Sequence, residues 1–264
     1  MLPVENKEDH FINMNKYESQ WRMATLGELI YPNQVHVWRA YLDVPKMQRE
    51  SLQRILSADE LQRAGRFHFE RDQNRFITAR GILRHILGSY LRKNPYNVRF
   101  EYTAKGKPIL AMAYEPGILS FNLSHSNAFA LYAVTLHRNI GIDIEHISEN
   151  VAIWEIARRF FSQAETSSLE RIHKNKVHEL FFQYWTRKEA FLKARGEGIS
   201  FSMEKIDVSL IKGRILSPIT LPGDESESMR WYIQDLFPGC GYAAAIAVEG
   251  GGCDLSFLHY EANG

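Results

Sequence analysis

The chain has 264 residues, which suits one large domain or two small ones, and its 45% hydrophobic and 24% charged residues are ordinary for a globular protein. Its formal net charge is only +1, so no bulk electrostatic field attracts a nucleic acid or a membrane surface, and any basic site must be local. We therefore expect neither a nucleic acid nor a membrane as a partner.

The first half of the chain is predicted to alternate strands and helices. Residues up to about 33 are polar with weak periodicity, and we interpret them as an extension that is at most partly ordered. The segment 35–42 alternates apolar and polar side chains, as a strand does. A capping signature at 57–60 begins a helix, and a longer amphipathic helix is predicted from Arg71 to about Leu91. After a turn at 104–108, further strands are predicted at 119–123, 129–136 and 140–144, the last two as neighbours across 137–139.

The second half repeats the first. Segment 161–165 echoes 56–60, and in each case a charged stretch and a long helix follow. The two helices share a similar segment, at 79–84 and at 188–193, so we predict an internal duplication. Beyond it, strands are predicted at 206–211, 229–236 and 242–248, with a loop at 222–228. The glycine-rich tail from Gly250 is predicted to close the sheet edge loosely.

The segment Gly141-Ile142-Asp143-Ile144-Glu145 is the first motif that carries chemistry. On a strand, Asp143 and Glu145 point to the same face, with Cα atoms about 6–7 Å apart, while the two isoleucines point into the core. Two carboxylates on one face repel each other unless a cation neutralises them, and such hard oxygen ligands favour magnesium. The alternative is a strand end with two solvated acids. We expect the Asp143 side chain to be exposed at the strand end.

The second motif lies on the second long helix, at 185–193. Glu189 and Lys193 are four residues apart, so they are neighbours on one helix face. A surface ion pair is the simplest interpretation. The helix is otherwise largely apolar, however, and Trp185 lies on the same ridge, which favours a charged pair at the border of a pocket.

The third motif, at 122–126, contains Ser124 and His125. Adjacent residues of an extended chain face opposite sides, so these two are poorly placed as a nucleophile and its base, and no Gly-x-Ser-x-Gly elbow is present. Their donors suit a phosphate instead, although a turn serine and a partly buried histidine remain an alternative.

Basic residues form a fourth group, over the first long helical region and the turn at 104–108. About half of these basic side chains should simply be solvated. The rest would form a local basic surface that binds a multiply phosphorylated ligand. The group comprises Arg63, Arg66, Arg71, Arg75, Arg80, Arg84, Lys105 and Lys107. We expect the helix with Arg80 and Arg84 to place the nucleotide phosphates in the first half, with Arg80 as a contact or as a brace between the halves.

Together, these motifs resemble the Sfp type of 4'-phosphopantetheinyl transferases, over roughly residues 35–248. The resemblance implies an α+β fold, a pseudodimer of two similar α/β halves with coenzyme A in the cleft between them. Its domains would be an N-terminal extension (1–34), a first half that binds the nucleotide phosphates (35–136), a second half with the metal and catalytic residues (137–249), and a C-terminal tail (250–264).

The resemblance also implies roles for individual residues. Asp143, Glu145 and Glu189 would hold Mg²⁺ against the pyrophosphate, and Lys193 would neutralise the departing 3',5'-ADP and can protonate it. Glu189 is the candidate base, directly or through water. The expected contacts to coenzyme A are Arg63, Lys107, Ser124, His125, Lys188 and Lys193. Glu60 stands where a lysine is common in the type member of the family, which puts that contact in doubt.

The implied reaction transfers the 4'-phosphopantetheine group from coenzyme A to a serine of an acyl or peptidyl carrier protein, giving the holo-carrier and 3',5'-ADP. The carriers would serve fatty-acid, polyketide or nonribosomal-peptide biosynthesis, and we expect several to be accepted by a monomeric enzyme. Two alternatives remain: a metal-dependent phosphatase or nuclease, and a module that binds coenzyme A or a carrier without turnover.

The cysteine content and the N-terminus indicate the compartment. Cys240 and Cys253 form neither a disulfide framework nor a metal-binding pair, which favours a reducing compartment. Acidic residues precede any apolar run at the N-terminus, unlike a signal peptide. We expect a cytoplasmic protein.

Overall fold

A computed structural model describes residues 20–111, 118–196, 202–209, 217–221 and 223–261. The elements of the first half are β1 (Arg22–Ala24), β2 (Gln34–Tyr41), α1 (Lys46–Gln53), α2 (Ala58–Ala64), α3 (Glu70–Leu91), β3 (Phe100–Tyr102), β4 (Pro108–Leu110), β5 (Leu119–Ser126) and β6 (Phe129–Leu136). Those of the second are β7 (Ile140–His146), α4 (Ile153–Phe160), α5 (Gln163–Arg171), α6 (Val177–Arg195), β8 (Ser217–Pro218), α7 (Glu225–Ser228), β9 (Trp231–Leu236), β10 (Tyr242–Glu249) and β11 (Asp254–Tyr260).

Two sheets and two long helices build the core. The first sheet has the strand order β1-β11-β2-β6-β5, and the second has the order β7-β10-β9-β8. Helix α3 covers the first sheet and α6 covers the second, each over its own apolar cluster. A third cluster fills the space between the sheets and includes Val35, Val37, Ile142, Ile144 and Ile246. The layers therefore run α3, first sheet, second sheet, α6, which confirms the predicted α+β fold of two similar halves.

The predicted repeat is visible where each half begins its helical region. Glu60 accepts a hydrogen bond of 3.0 Å from the amide of Ser57, and Glu165 accepts one of 2.7 Å from the amide of Ser162, so both form capping boxes. Both glutamates are buried, and each binds a buried cation from its own long helix. In both halves, the glutamate of a capping box is thus buried against a cation of the long helix, which supports an internal duplication.

The predicted pairing of 140–144 with 129–136 is wrong. Strand β6 already has β2 on one edge and β5 on the other, so no edge is left for a third partner. Strand β7 instead begins the second sheet and pairs with β10, opposing Asp143 to Ala245. Within three residues, 137–139, the chain therefore crosses from one sheet to the other.

The segment from Gly250 to Glu261 is more ordered than the sequence indicated. The tail was expected to close a sheet edge loosely, but β11 is an interior strand of the first sheet, parallel to β1 and to β2. Leu258 and Tyr260 of this strand are buried against the α3 cluster, which accounts for the strand's position. The described part of the predicted extension contributes β1, while residues 1–19 lie outside the description.

Smaller differences occur in the second half. The strand predicted at 206–211 is not formed by its described residues, 206–209. They follow a 3-10 turn, Met203–Lys205, and contribute one isolated bridge, between Asp207 and Thr220, while residues 210 and 211 lie outside the described residues. The predicted loop at 222–228 includes the short helix α7. Among the described residues, no helix is long and apolar enough to cross a membrane.

Candidate active site

Close packing of α6 against β7 positions the carboxylates. A Cβ added at Gly141 would overlap the carbonyl oxygen of Ala190 and the amide nitrogen of Ala194, so only glycine allows this approach. Ile142 and Ile144 are buried between the sheets, as predicted. The alternate face of β7, which carries the two acids, is therefore turned toward the helix that carries Glu189 and Lys193.

Asp143 lies at the centre of the site. Its Oδ1 accepts hydrogen bonds from Lys193 Nζ at 2.6 Å and from Ser124 Oγ at 2.9 Å, and Lys193 Nζ also donates to Ser124 Oγ at 3.0 Å. The expectation of an exposed Asp143 is wrong, because only 3% of the residue is accessible. Strand β7 pairs with β10 on one side and faces β5 on the other, so its acids are enclosed.

Two carboxylate oxygens at the site are buried without a hydrogen-bond partner among the described residues: Asp143 Oδ2 and Glu189 Oε1. Such atoms carry a desolvation cost that a proton or a bound cation would remove. Within the described ranges, no group of three or more histidine, cysteine or acidic side chains is arranged, as it stands, to hold a metal ion. In this arrangement the ammonium of Lys193 neutralises Asp143.

The acids affect one another's protonation. Burial raises the pKa of Glu189 to about 7, and repulsion by Asp143 and Glu145 adds to the rise, while the charge of Lys193 opposes it. Burial and the charge of Asp143 also raise the pKa of Glu145, against a hydrogen bond from Ser126 and the charge of Lys193. Three carboxylates therefore share one poorly solvated space that favours a proton or a cation.

His125 and Arg63 lie on the first-half side of this site. Desolvation by the surrounding protein lowers the pKa of His125, although the residue is exposed, and the positive charges of Lys193, Arg63 and Arg75 lower this pKa further. The exposed Arg63 guanidinium lies 5.6 Å from the ring centre of Phe76. A concentration of positive charge in this region suits an anionic ligand.

Lys107 reaches across from the first half to the second. Its Nζ donates to the backbone carbonyl of Ile140 at 3.2 Å and to that of Lys193 at 2.5 Å. Burial and the charge of Lys193 lower its pKa to about 8. Lys107 thus lies at the edge of the site, where it holds the start of β7 near the end of α6.

Lys188 is not brought to the site. It is fully buried, and its Nζ binds Glu165 at 2.8 Å and the carbonyl oxygens of Met203 at 2.8 Å and Ile206 at 2.6 Å. A contact to coenzyme A is incompatible with this position. Lys188 instead joins α6 to the capping box at the start of α5.

Arg80 and Arg84 have the same kind of role in the first half. Both are buried, and Arg80 Nε and Arg84 Nε donate to the carboxylate of Glu60 at 2.7 Å and 2.6 Å. They join α3 to α2 within one half, so they are neither phosphate contacts nor a brace between halves. Glu60 is therefore the acid of a buried ion-pair cluster, and its carboxylate is not available to a ligand.

Asn122 and Ser126 belong to the site, although the sequence motif gave them no role. Asn122 Oδ1 accepts from the amide of Ile142 at 2.8 Å, and Ser126 Oγ donates to Glu145 Oε2 at 2.8 Å. The sequence spacing could have identified both residues, because each lies two positions from Ser124 and all three therefore share one face of β5.

Comparison with known proteins identifies the family of this chain. Residues 139–247 match the 4'-phosphopantetheinyl transferase superfamily, and residues 44–137 match the N-terminal region of 4'-phosphopantetheinyl transferases. The chain is 41% identical over 228 residues to the 4'-phosphopantetheinyl transferase HetI of Nostoc sp., covering 86% of this chain and 93% of that protein. It is 28% identical over 229 residues to 4'-phosphopantetheinyl transferase Sfp of Bacillus subtilis, covering 85% and 98%. The chain therefore belongs to the 4'-phosphopantetheinyl transferase family.

Proposed function

We propose that the site formed by Asp143, Glu145, Glu189 and Lys193 transfers 4'-phosphopantetheine from coenzyme A to a carrier serine. The serine oxygen bonds to the phosphorus that carries the pantetheine arm, and the bond from that phosphorus to the bridging oxygen breaks. 3',5'-ADP leaves with the bridging oxygen, and the serine proton passes to a base. The observation that carries the proposal is the convergence of three acids and a lysine around two unpartnered carboxylate oxygens.

The acids fit a magnesium ion. All three offer hard oxygen ligands, and the unpartnered Asp143 Oδ2 and Glu189 Oε1 have capacity to bind a cation. We infer that Asp143, Glu145 and Glu189 hold Mg²⁺. When bound, the ion supplies positive charge to the pyrophosphate oxygens.

Glu189 and Lys193 are suited to the proton and the leaving group. A carboxyl whose pKa is about 7 accepts a proton from the carrier serine near neutral pH, directly or through water. The Lys193 side chain is 29% exposed beside Asp143, so its ammonium can reach an incoming anion. Its charge stabilises the departing 3',5'-ADP, whose negative charge grows in the transition state.

The first half supplies positive charge for the nucleotide. His125 and Arg63 are exposed on that side, and Ser124 and Lys107 lie where the halves meet. We infer that these residues contact the phosphates of coenzyme A, and we leave out Lys188 because it is buried against Glu165. Since each chain has one acidic and one basic half, we propose one coenzyme A per chain and a monomeric enzyme.

Substituting Asp143 tests this proposal. Asp143→Asn removes a charge at the centre of the site, so transfer to an apo-carrier at millimolar Mg²⁺ should fall at least about a hundredfold. The exposed Asp59 provides a matched control, and Asp59→Asn should transfer at the wild-type rate. A wild-type rate in Asp143→Asn would contradict the proposed metal site.

We further propose that the enzyme acts in the cytoplasm and accepts several carriers, from fatty-acid, polyketide and nonribosomal-peptide biosynthesis. A relative from Xenopus laevis is named L-aminoadipate-semialdehyde dehydrogenase-phosphopantetheinyl transferase and is 26% identical over 208 residues. A panel of apo-carriers, compared by kcat/KM, would show which ones this chain prefers.

A further inference from the structure

The two sheets meet along a pair of end strands. Strand β5 ends the first sheet and β7 ends the second, so each has one edge to which no other described strand of its own sheet pairs. Three side chains of β5 bridge the gap, from positions 122, 124 and 126, which share one face of the strand. They bind successive positions of β7, so a side-chain ladder replaces the missing backbone ladder.

Each step of the ladder fixes a different part of β7. Asn122, which is 3% exposed, accepts from the Ile142 amide at 2.8 Å and so satisfies a buried backbone donor. Ser124 binds Asp143, as described above. Ser126 makes two bonds, because its Oγ accepts from the His146 amide at 3.0 Å and donates to Glu145 Oε2 at 2.8 Å.

The two bonds of Ser126 determine where its single proton points. A hydroxyl has one donor, and the His146 amide can only donate, so the hydroxyl proton is directed at the Glu145 carboxylate. A hydrogen bond to an ionised acceptor is among the stronger kinds. It also holds Glu145 near Asp143 against the repulsion between two negative charges.

We propose that Ser126 is a positioning residue, which fixes Glu145 from the opposite half so that its carboxylate is oriented for divalent-cation binding. This inference rests on the proposed function, because it takes Glu145 as a ligand of the metal. Residues that orient metal ligands commonly change metal affinity by tenfold or more when they are replaced. The first half would thereby contribute to a metal site whose ligands all lie in the second.

The test compares Ser126→Thr with Ser126→Val, which have nearly the same shape and differ in the hydroxyl. Mn²⁺, as a spectroscopically visible substitute for Mg²⁺, is titrated into each variant and followed by electron paramagnetic resonance. We expect the Mn²⁺ affinity of Ser126→Thr to lie within about threefold of wild type and that of Ser126→Val to be about tenfold weaker. In Ser126→Val, the Mg²⁺ concentration that gives half-maximal transfer should rise by a similar factor. At saturating Mg²⁺, the kcat of this variant should be largely restored.

Two controls make the result specific. Ser120 lies on the same face of β5, about 20 Å along the strand from Ser126, so Ser120→Ala should leave Mn²⁺ affinity unchanged. If the valine variant does not fold, Ser126→Ala removes the same hydroxyl with less bulk, and it is compared with wild type. Equal Mn²⁺ affinity in Ser126→Thr and Ser126→Val would overturn the inference, as would equal affinity in Ser126→Ala and wild type. A wild-type protein that binds no Mn²⁺ would instead refute the metal site itself.

Discussion

Replacing the most perturbed acid of the site should stabilise the metal-free protein. Glu189 is confined with Asp143 and Glu145, and burial together with their charges raises its pKa from 4.5 to about 7. The folded state therefore binds the Glu189 proton more tightly than the unfolded state does. As a result, the stability of the metal-free protein falls as the pH rises from about 4.5 through 7, and the full cost is present above pH 7. Glu189→Gln keeps the shape and removes the charge.

The magnitude follows from the difference between the two pKa values. At 1.36 kcal/mol for each pH unit, the upper limit is about 3 kcal/mol. Since Glu189 is partly accessible to solvent, which screens the repulsion, we expect about 1–2 kcal/mol. For a protein of this size, that corresponds to a Tm about 2–4 °C higher in Glu189→Gln than in wild type at pH 8.

Thermal unfolding in the presence of EDTA, followed by circular dichroism at pH 8 and at pH 4.5, measures this difference. The glutamine variant should be more stable than wild type at pH 8, with the gap largely closed at pH 4.5. Glu179 is an exposed acid on the same helix, so Glu179→Gln should give no such gain. Adding Mg²⁺ should raise the Tm of wild type but not that of Glu189→Gln. A Glu189→Gln variant no more stable than wild type at pH 8 would refute the reasoning.

Three further substitutions test how the fold supports the site. Gly141→Ala forces a Cβ into the backbone of α6, so it should lower the free energy of unfolding by about 3 kcal/mol, measured by thermal unfolding, and abolish transfer. Wild-type stability would show that β7 and α6 can separate freely. Glu60→Gln leaves Arg84 without its charged partner, so the free energy of unfolding in urea should fall by about 3–5 kcal/mol. A decrease of less than about 1 kcal/mol would contradict a structural role for Glu60. Tyr90→Phe removes the hydroxyl that lies 2.6 Å from His36 Nδ1, so the free energy of unfolding in urea should fall by about 1–3 kcal/mol. An unchanged free energy of unfolding would contradict this expectation.

Local patterns in the sequence singled out the acids, and the resemblance to the transferase family joined all three into one predicted metal site. The two-residue period of a strand placed Asp143 and Glu145 on one face, and the helix period joined Glu189 to Lys193. Capping boxes predicted where two helices begin, and both are present. Each of these features depends on residues that are close in sequence.

Burial and partners at long range could not be predicted in this way. Lys188 and Glu189 are neighbours in sequence, yet one is sealed against Glu165 and the other reaches the site. Periodicity shows which residues share a face, but not which face meets another element. Strand β11 is a similar case, because its partners β1 and β2 lie more than 200 residues earlier in the chain.

The intact mass of an apo-carrier protein tests the central claim most directly. Incubation with this chain, coenzyme A and Mg²⁺ should increase the carrier mass by one phosphopantetheine and release one 3',5'-ADP per carrier modified. EDTA or the Asp143→Asn substitution should suppress the increase. An unchanged mass across fatty-acid, polyketide and nonribosomal-peptide carriers, or an increase of undiminished rate in EDTA, would contradict the account.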